Sequence, residues 1–264
     1  MKISIIPLCY GKEFGEGTMS QEDWIKEAVE LGLDGIELYE PHLSSLDSSG
    51  KASLSDAIHN AGLEVSKYAS GCYAHPESSL CNPEWRERGI AYIKKSVDEA
   101  VIFKTNVLRV VSGIGNEGLE HEVVLQSVAD GFKACLDYAE EKQVMLAFED
   151  HFSVGPKIDD FMKILELVND ERLKVNLDTA NATNGTAVDL ARLVADRVVN
   201  THLSDHKGHD HRIVVGKGDI DFEGVFRELK KAGYDGWLSL EVFVGGKENL
   251  QFSIEHIRNA WNNT

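Results

Sequence analysis

The chain carries 264 residues, a formal net charge of -17 and a hydrophobic fraction of 42%. That is material for one large domain over residues 1–264, since an α/β barrel takes about 250 residues as a unit. The composition excludes a disordered chain, and the acidic balance, with no Lys/Arg cluster to offset it, excludes a nucleic-acid backbone as partner and leaves small ligands open.

The first residues, Met1-Lys-Ile-Ser-Ile-Ile-Pro7, enter a strand pattern directly, without the apolar region of a signal peptide. No later run is long enough to cross a bilayer, so no membrane partner is expected. Cys9, Cys72, Cys81 and Cys135 show no CxxC spacing, which fits reduced thiols and a cytoplasmic location. Short β-rich runs are predicted at Lys2 to Ile6, Gly35 to Tyr39, Glu64 to Ala69, Val107 to Val111, Val144 to Glu149, Lys174 to Asp178, Val198 to Leu203 and Gly236 to Glu241. Helices are predicted between them. The first runs from Ser20 to Leu31, with Ser20 and Asp23 as a capping box, and Leu54 to Ala61 is the second. Pro83 to Phe103 follows, with Asn82 as cap and Pro83 in the first helical position. The rest span Leu119 to Lys142, Ile158 to Val168, Ala187 to Ala195, Phe222 to Ala232 and Glu248 to Asn262. Gly32 and Gly233 each precede an Asp-Gly turn into a strand and suit the left-handed position after a helix.

Strict alternation of strands and helices gives a (β/α)8 TIM barrel as the expected fold. The rival, an open doubly wound sheet, lacks a GxGxxG after the first strand.

Four of the apolar runs end in a polar residue: Glu149, Asp178, His202 and Glu241. In a parallel barrel the C-terminal strand ends converge on one cavity, so these four are expected together. Buried carboxylates and an imidazole need partners or a cation. Three oxygen donors and one nitrogen suit a divalent metal, Mn2+ first, with Mg2+, Co2+ and Zn2+ allowed.

The chain resembles the xylose isomerase-like superfamily of TIM barrels over essentially its whole length. The resemblance rests on Leu146-Ala-Phe-Glu-Asp-His151, Asn176-Leu-Asp-Thr-Ala-Asn181, Thr201-His-Leu-Ser-Asp205, Val215-Gly-Lys-Gly-Asp-Ile-Asp-Phe222 and Gly233-Tyr-Asp-Gly-Trp-Leu-Ser-Leu-Glu241. It implies Glu149, Asp178, His202 and Glu241 as metal ligands, and Glu149 and Glu241 as the catalytic acid/base pair. It implies a small carbohydrate substrate, a ketose or inosose, isomerised or epimerised through an enediolate. Dimers and tetramers are common in that superfamily, so a homo-oligomer is allowed. The same resemblance offers His75, before Pro76, as a substrate contact, and Arg212 as a clamp for an anion or hydroxyl.

Glu37, ending the second strand with Tyr39, is expected either to face the cavity and bind substrate or to pair with a buried Lys or Arg. His151, two residues after Glu149, is expected beside the site, binding substrate or holding a ligand in orientation. His206, His209 and His211 read as solvated loop residues, and Gly216-Lys217-Gly218 resembles a phosphate loop without the Ser or Thr that should follow. Several sugar isomerases of the group carry histidine where this chain has Asn181, and the extra ligands of the endonucleases are not evident. Two alternatives stand beside the isomerase: a lyase, dehydratase or keto-glycoside cleaving, on the same metal site, and a non-catalytic sugar-binding barrel.

Overall fold

The β-rich runs form the eight parallel strands of one sheet in a computed structural model that describes residues 1–71, 78–115 and 117–264. The strands are β1 (Lys2–Ile6), β2 (Gly35–Tyr39), β3 (Glu64–Ala69), β4 (Val107–Val110), β5 (Met145–Glu149), β6 (Leu173–Asp178), β7 (Val198–His202) and β8 (Trp237–Glu241). Each from β2 to β8 pairs with its neighbour in sequence, and β8 returns to β1. Asp34 stitches the remaining seam between β1 and β2. Its N–H donates to the Ile3 carbonyl at 3.0 Å, and its carboxylate accepts from the Ile3 N–H at 2.8 Å. The result is a nearly closed (β/α)8 barrel, as the alternation predicts.

The helices are α1 (Gly11–Glu16), α2 (Gln21–Glu30), α3 (Ser48–Asn60), α4 (Arg86–Ile102), α5 (His121–Glu141), α6 (Ile158–Val168), α7 (Ala187–Val194), α8 (Phe222–Lys231) and α9 (Lys247–Asn262). The capping box of α2 forms: Ser20 Oγ accepts from the Asp23 N–H at 3.1 Å, and the Asp23 carboxylate accepts from the Ser20 N–H at 3.1 Å. Gly32 and Gly233 take the left-handed conformation, with φ of 67° and 78°.

Three boundaries differ from expectation, each for a local reason. Helix α4 starts at Arg86, because Asn82 Oδ1 accepts from the Glu84 N–H at 2.9 Å and its carbonyl accepts from the Trp85 N–H at 3.0 Å, making a turn instead of a cap. Helix α3 starts six residues earlier than its apolar pattern, because Asp47 accepts from the Gly50 N–H at 2.8 Å and holds a Ser/Gly-rich first turn helical. The six-residue α1 was not expected, being too short to show periodicity.

An apolar shell fills the space between strands and helices. Phe148, on the outer face of β5, stacks on Phe161 of α6 at 4.5 Å and tilts against Phe132 of α5 at 4.9 Å. Burying such a ring stabilises the fold by roughly 1.5–3 kcal/mol. The barrel interior is different: Glu37, Lys67, Asn200 and Ser239 are all buried there and bonded across the barrel. Among the described residues, no helix is long and apolar enough to cross a membrane.

Candidate metal and active site

Strand alternation decides which side chains meet inside the barrel. On β5 to β8 the outward positions carry Phe148, Leu177, Thr201 and Leu240, so the inward positions fall on Glu149, Asp178, His202 and Glu241, the last residue of each strand. Asp178 and His202 are register partners, as are Glu149 and Asn176. One pleat below the strand ends lies a layer of Ala147, Asn176, Asn200 and Ser239.

The structure brings Glu149, Asp178 and His202 together, each fully buried, with one donor atom apiece within 4.8 Å of the others. His202 Nδ1 bonds Glu149 Oε1 and lies 3.9 Å from Asp178 Oδ2. Asp178 Oδ1 is occupied by the Ala180 N–H at 2.7 Å and the Ser204 hydroxyl at 2.8 Å, while Oδ2 is buried without a hydrogen-bond partner. Glu241, 6% exposed, sits at the end of β8 beside them. Burial and the Asp178 and Glu149 carboxylates push its carboxyl well above the usual range. Burial opposes ionisation of Glu149 too, but His202 and Arg109 outweigh it and hold that carboxyl well below the usual range.

These residues fit a divalent cation. An orphaned carboxylate oxygen, mutual repulsion among three buried carboxylates and an imidazole aimed into the cluster are each relieved by a bound positive charge. The donor set of carboxylate oxygens and one imidazole favours Mn2+, Mg2+ or Zn2+ over soft metals.

The imidazole of His202 is fixed from below. Its Nε2 meets Glu37 Oε1 at 2.8 Å, and Glu37 Oε2 takes Lys67 Nζ at 2.9 Å and the Ser239 hydroxyl at 2.7 Å. Lys67 also donates to Asn200 Oδ1 at 3.1 Å and the Thr201 carbonyl at 2.8 Å. Burial disfavours charge on His202, yet Glu37, Glu149 and Glu241 raise its pKa to about 10. Of the two expectations for Glu37, the structure supports pairing with a buried lysine: its carboxylate is saturated by interior partners and does not line the cavity. Glu37 and Lys67 are register partners on β2 and β3, so two in-phase charges in adjacent strands were the available signal.

The cavity above the cluster has a volume of about 410 Å3 and is walled by Ile6, Leu8, Tyr39, His42, Arg109, His151, Phe152, Phe243 and Glu241. His151 lies there as the sequence suggests, stacked on Phe152 at 3.8 Å with Nδ1 3.3 Å from Glu149 Oε2. Its loop is strained: Phe152 and Ser153 have φ of 52° and 43°. The Ser112 hydroxyl donates to the Phe152 carbonyl at 3.3 Å and helps hold that turn. Arg109, inward on β4, was missed by strand-end reasoning because it sits inside its strand; Nε is 3.5 Å from Glu149 Oε2 and a guanidinium N–H donates to the Ser70 carbonyl at 3.2 Å.

Arg212 is placed elsewhere: it is exposed on the loop after β7, its N–H donating to Asp210 Oδ1 at 2.8 Å, and it is not part of the cavity wall. His209 and His211 are exposed there too, while His206 is half-buried. His75 lies outside the described residues. Gly216 to Gly218, set aside as a phosphate loop from the sequence, wrap Asp205 instead, whose carboxylate accepts from the N–H groups of Gly216 and Gly218 at 2.9 Å each and from that of His206 at 2.9 Å. The amides a phosphate would need are spent on an internal anion, and a Cβ on Gly218 would fall 2.2 Å from Asp205 Oδ1.

The profile of the xylose isomerase-like TIM barrel family matches residues 25–260, and the chain belongs to that family. Among curated proteins it is similar to L-ribulose-5-phosphate 3-epimerase UlaE of Salmonella heidelberg, 25% identical over 86% of this chain and 85% of that protein. Among solved structures it is similar to D-psicose 3-epimerase of Clostridium cellulolyticum H10, with a TM-score of 0.82 at 17% identity over 99% of both chains. It is similar also to the probable 3-DHS dehydratase AsbF of Bacillus anthracis, with a TM-score of 0.79 at 18% identity over 98% of this chain and 99% of that one.

Proposed function

We propose that the protein is a divalent-metal-dependent epimerase or isomerase of a small ketose or related sugar. The observation that carries this reading is the buried cluster of Glu149, Asp178 and His202 at the inward ends of β5, β6 and β7, with Glu241 at the end of β8 in the wall of the cavity. The curated epimerase relatives support the same class.

Glu149, Asp178, His202 and Glu241 would hold the cation, Mn2+ by preference, which when bound polarises the substrate carbonyl and offsets charge on the enediolate oxygens. One carboxylate oxygen, of Glu149 or Glu241, removes the proton from the carbon beside the carbonyl. The C–H electron pair becomes the double bond of the enediolate, and the carbonyl oxygen takes the charge. The other glutamate returns a proton to the opposite face, which inverts that carbon. Asn176 Nδ2, donating to Glu149 Oε1 at 2.9 Å, and His151 at Oε2 hold that carboxylate in place. Tyr39, Phe152 and Phe243 exclude water from the reacting carbons.

Chiral chromatography of a ketose panel, incubated with the Mn2+-loaded protein, tests this. Conversion to the epimeric ketose at constant mass is expected; a panel with no interconversion contradicts it. A lyase is the second reading, favoured by His151, whose imidazole stands where it could protonate a departing hydroxyl. Loss of water from the product would select it.

A further inference from the structure

Beside the active-site cavity lies a second chamber of about 390 Å3, between α1, α2 and α3. Its wall includes Phe14, Met19 and Leu54 and the polar residues Gln21, Glu22 and Ser53. Among the described residues, one lines both spaces: His42. Its ring is flanked on the chamber side by Phe14, with centroids 5.0 Å apart, and on the cavity side by Tyr39, edge-on at 4.9 Å. These three rings stand side by side where the two linings meet. Gly11 lets the row close, since a Cβ there would come within 3.2 Å of His42 Nε2. Burial lowers the His42 pKa to about 4, so the ring is neutral at ordinary pH.

We infer that His42 is a specificity-determining residue, the partition that limits how long a sugar the cavity accepts. A substrate held at the metal by its carbonyl end extends its chain toward the aromatic mouth, and the His42 ring stops it. With the ring removed, the chain continues into a chamber whose serine and glutamine groups suit further hydroxyls. Pocket contacts of this size discriminate chain lengths by roughly 10-fold or more per added unit. This inference rests on the ketose reading given above.

The test compares wild type, His42→Ala and His42→Phe, all loaded with Mn2+, on ketoses of increasing chain length. The quantity read is the kcat/KM of the longest ketose relative to the shortest. His42→Ala should raise it roughly 10-fold, while His42→Phe, which keeps a ring but no ring nitrogen, should leave it within about twofold. A uniform loss across all lengths in His42→Ala would overturn the partition. So would a His42→Phe ratio that follows His42→Ala, since the ring nitrogens and not the wall would then decide. Ligand-induced shifts in thermal midpoint with the same sugars read the same ratio without turnover. If no variant turns over any ketose, the epimerase reading fails, and the shifts still decide the partition.

Discussion

The two halves of the barrel do different work. Strands β5 to β8 supply every donor of the proposed metal site, while β1 to β4 and the segments that follow them supply the walls and the counter-charge: Tyr39, His42, Arg109 and the Glu37–Lys67 pair. In the second half the charged groups stand at the inward strand ends. In the first half Glu37 and Lys67 sit deep in the barrel, where they pair with each other, with the underside of His202 and with polar groups of β7 and β8. The difference teaches that the donors of the second half lean on buried charges supplied by the first, Glu37 beneath His202 and Arg109 beside Glu149.

The comparison can be broken first at its strongest point. Glu149→Gln and Glu241→Gln should each lower turnover by about 10^3-fold, within the range for loss of a general acid or base, with circular dichroism unchanged. A residual rate near wild type would detach the second half from chemistry.

The next effect falls on the first half. Lys67→Met leaves Glu37 charged in the interior without its lysine partner, and should cost about 3–5 kcal/mol of unfolding free energy in urea titration. The double variant Glu37→Gln/Lys67→Met should recover much of that loss. If Lys67→Met alone unfolds like wild type, the buried pair carries no structural weight.

His42 shifts in the same direction as Glu37, below its ordinary value, so both stabilise the fold at higher pH and lose that contribution as pH falls. The folded His42 pKa of about 4 lies below the ordinary histidine value near 6.5, so the unfolded chain binds the proton first as pH falls. The stability it contributes is complete above about pH 6.5 and is lost toward pH 4, by up to about 3 kcal/mol. His42→Phe should flatten that part of the stability profile measured by denaturant titration at each pH.

The smallest effect sharpens the link between halves. In the stability-repaired double variant, Glu37 no longer fixes the His202 ring as a carboxylate, and Mn2+ affinity measured by competition with a fluorescent chelator should fall about 10–100-fold. Unchanged affinity would show that His202 needs no support from β2.

This division also explains what could be read from the sequence. The barrel was legible because every strand is a short apolar run between amphipathic helices, and Glu149, Asp178, His202 and Glu241 were legible because each closes such a run. Glu37 was visible, but its partner was not named, since the register that sets it against Lys67 depends on a bulge between Ile36 and Glu37. Arg109 and His42 were missed for different reasons. Arg109 is one residue from the end of its strand and reads as a surface charge by composition. His42 lies on a short 3-10 turn from Glu40 to Leu43, where no periodicity announces which way a ring points. The loop from Asp205 to Ile220 was legible only as a negative: the missing Ser or Thr argued against a phosphate cradle, and the fold supplies what the sequence did not, Asp205 accepting from its amides.

The central claim is that Glu149 and Glu241 move protons at carbon with a divalent cation between them. The most direct measurement is proton NMR of ketoses incubated in D2O with the Mn2+-loaded protein, taken after the metal is removed, with Glu241→Gln at equal metal loading as control. Enzyme-dependent loss of the proton beside the carbonyl, absent in Glu241→Gln and after chelation, is the predicted result. Exchange that persists in Glu241→Gln, or none in wild type with metal demonstrably bound, would contradict it.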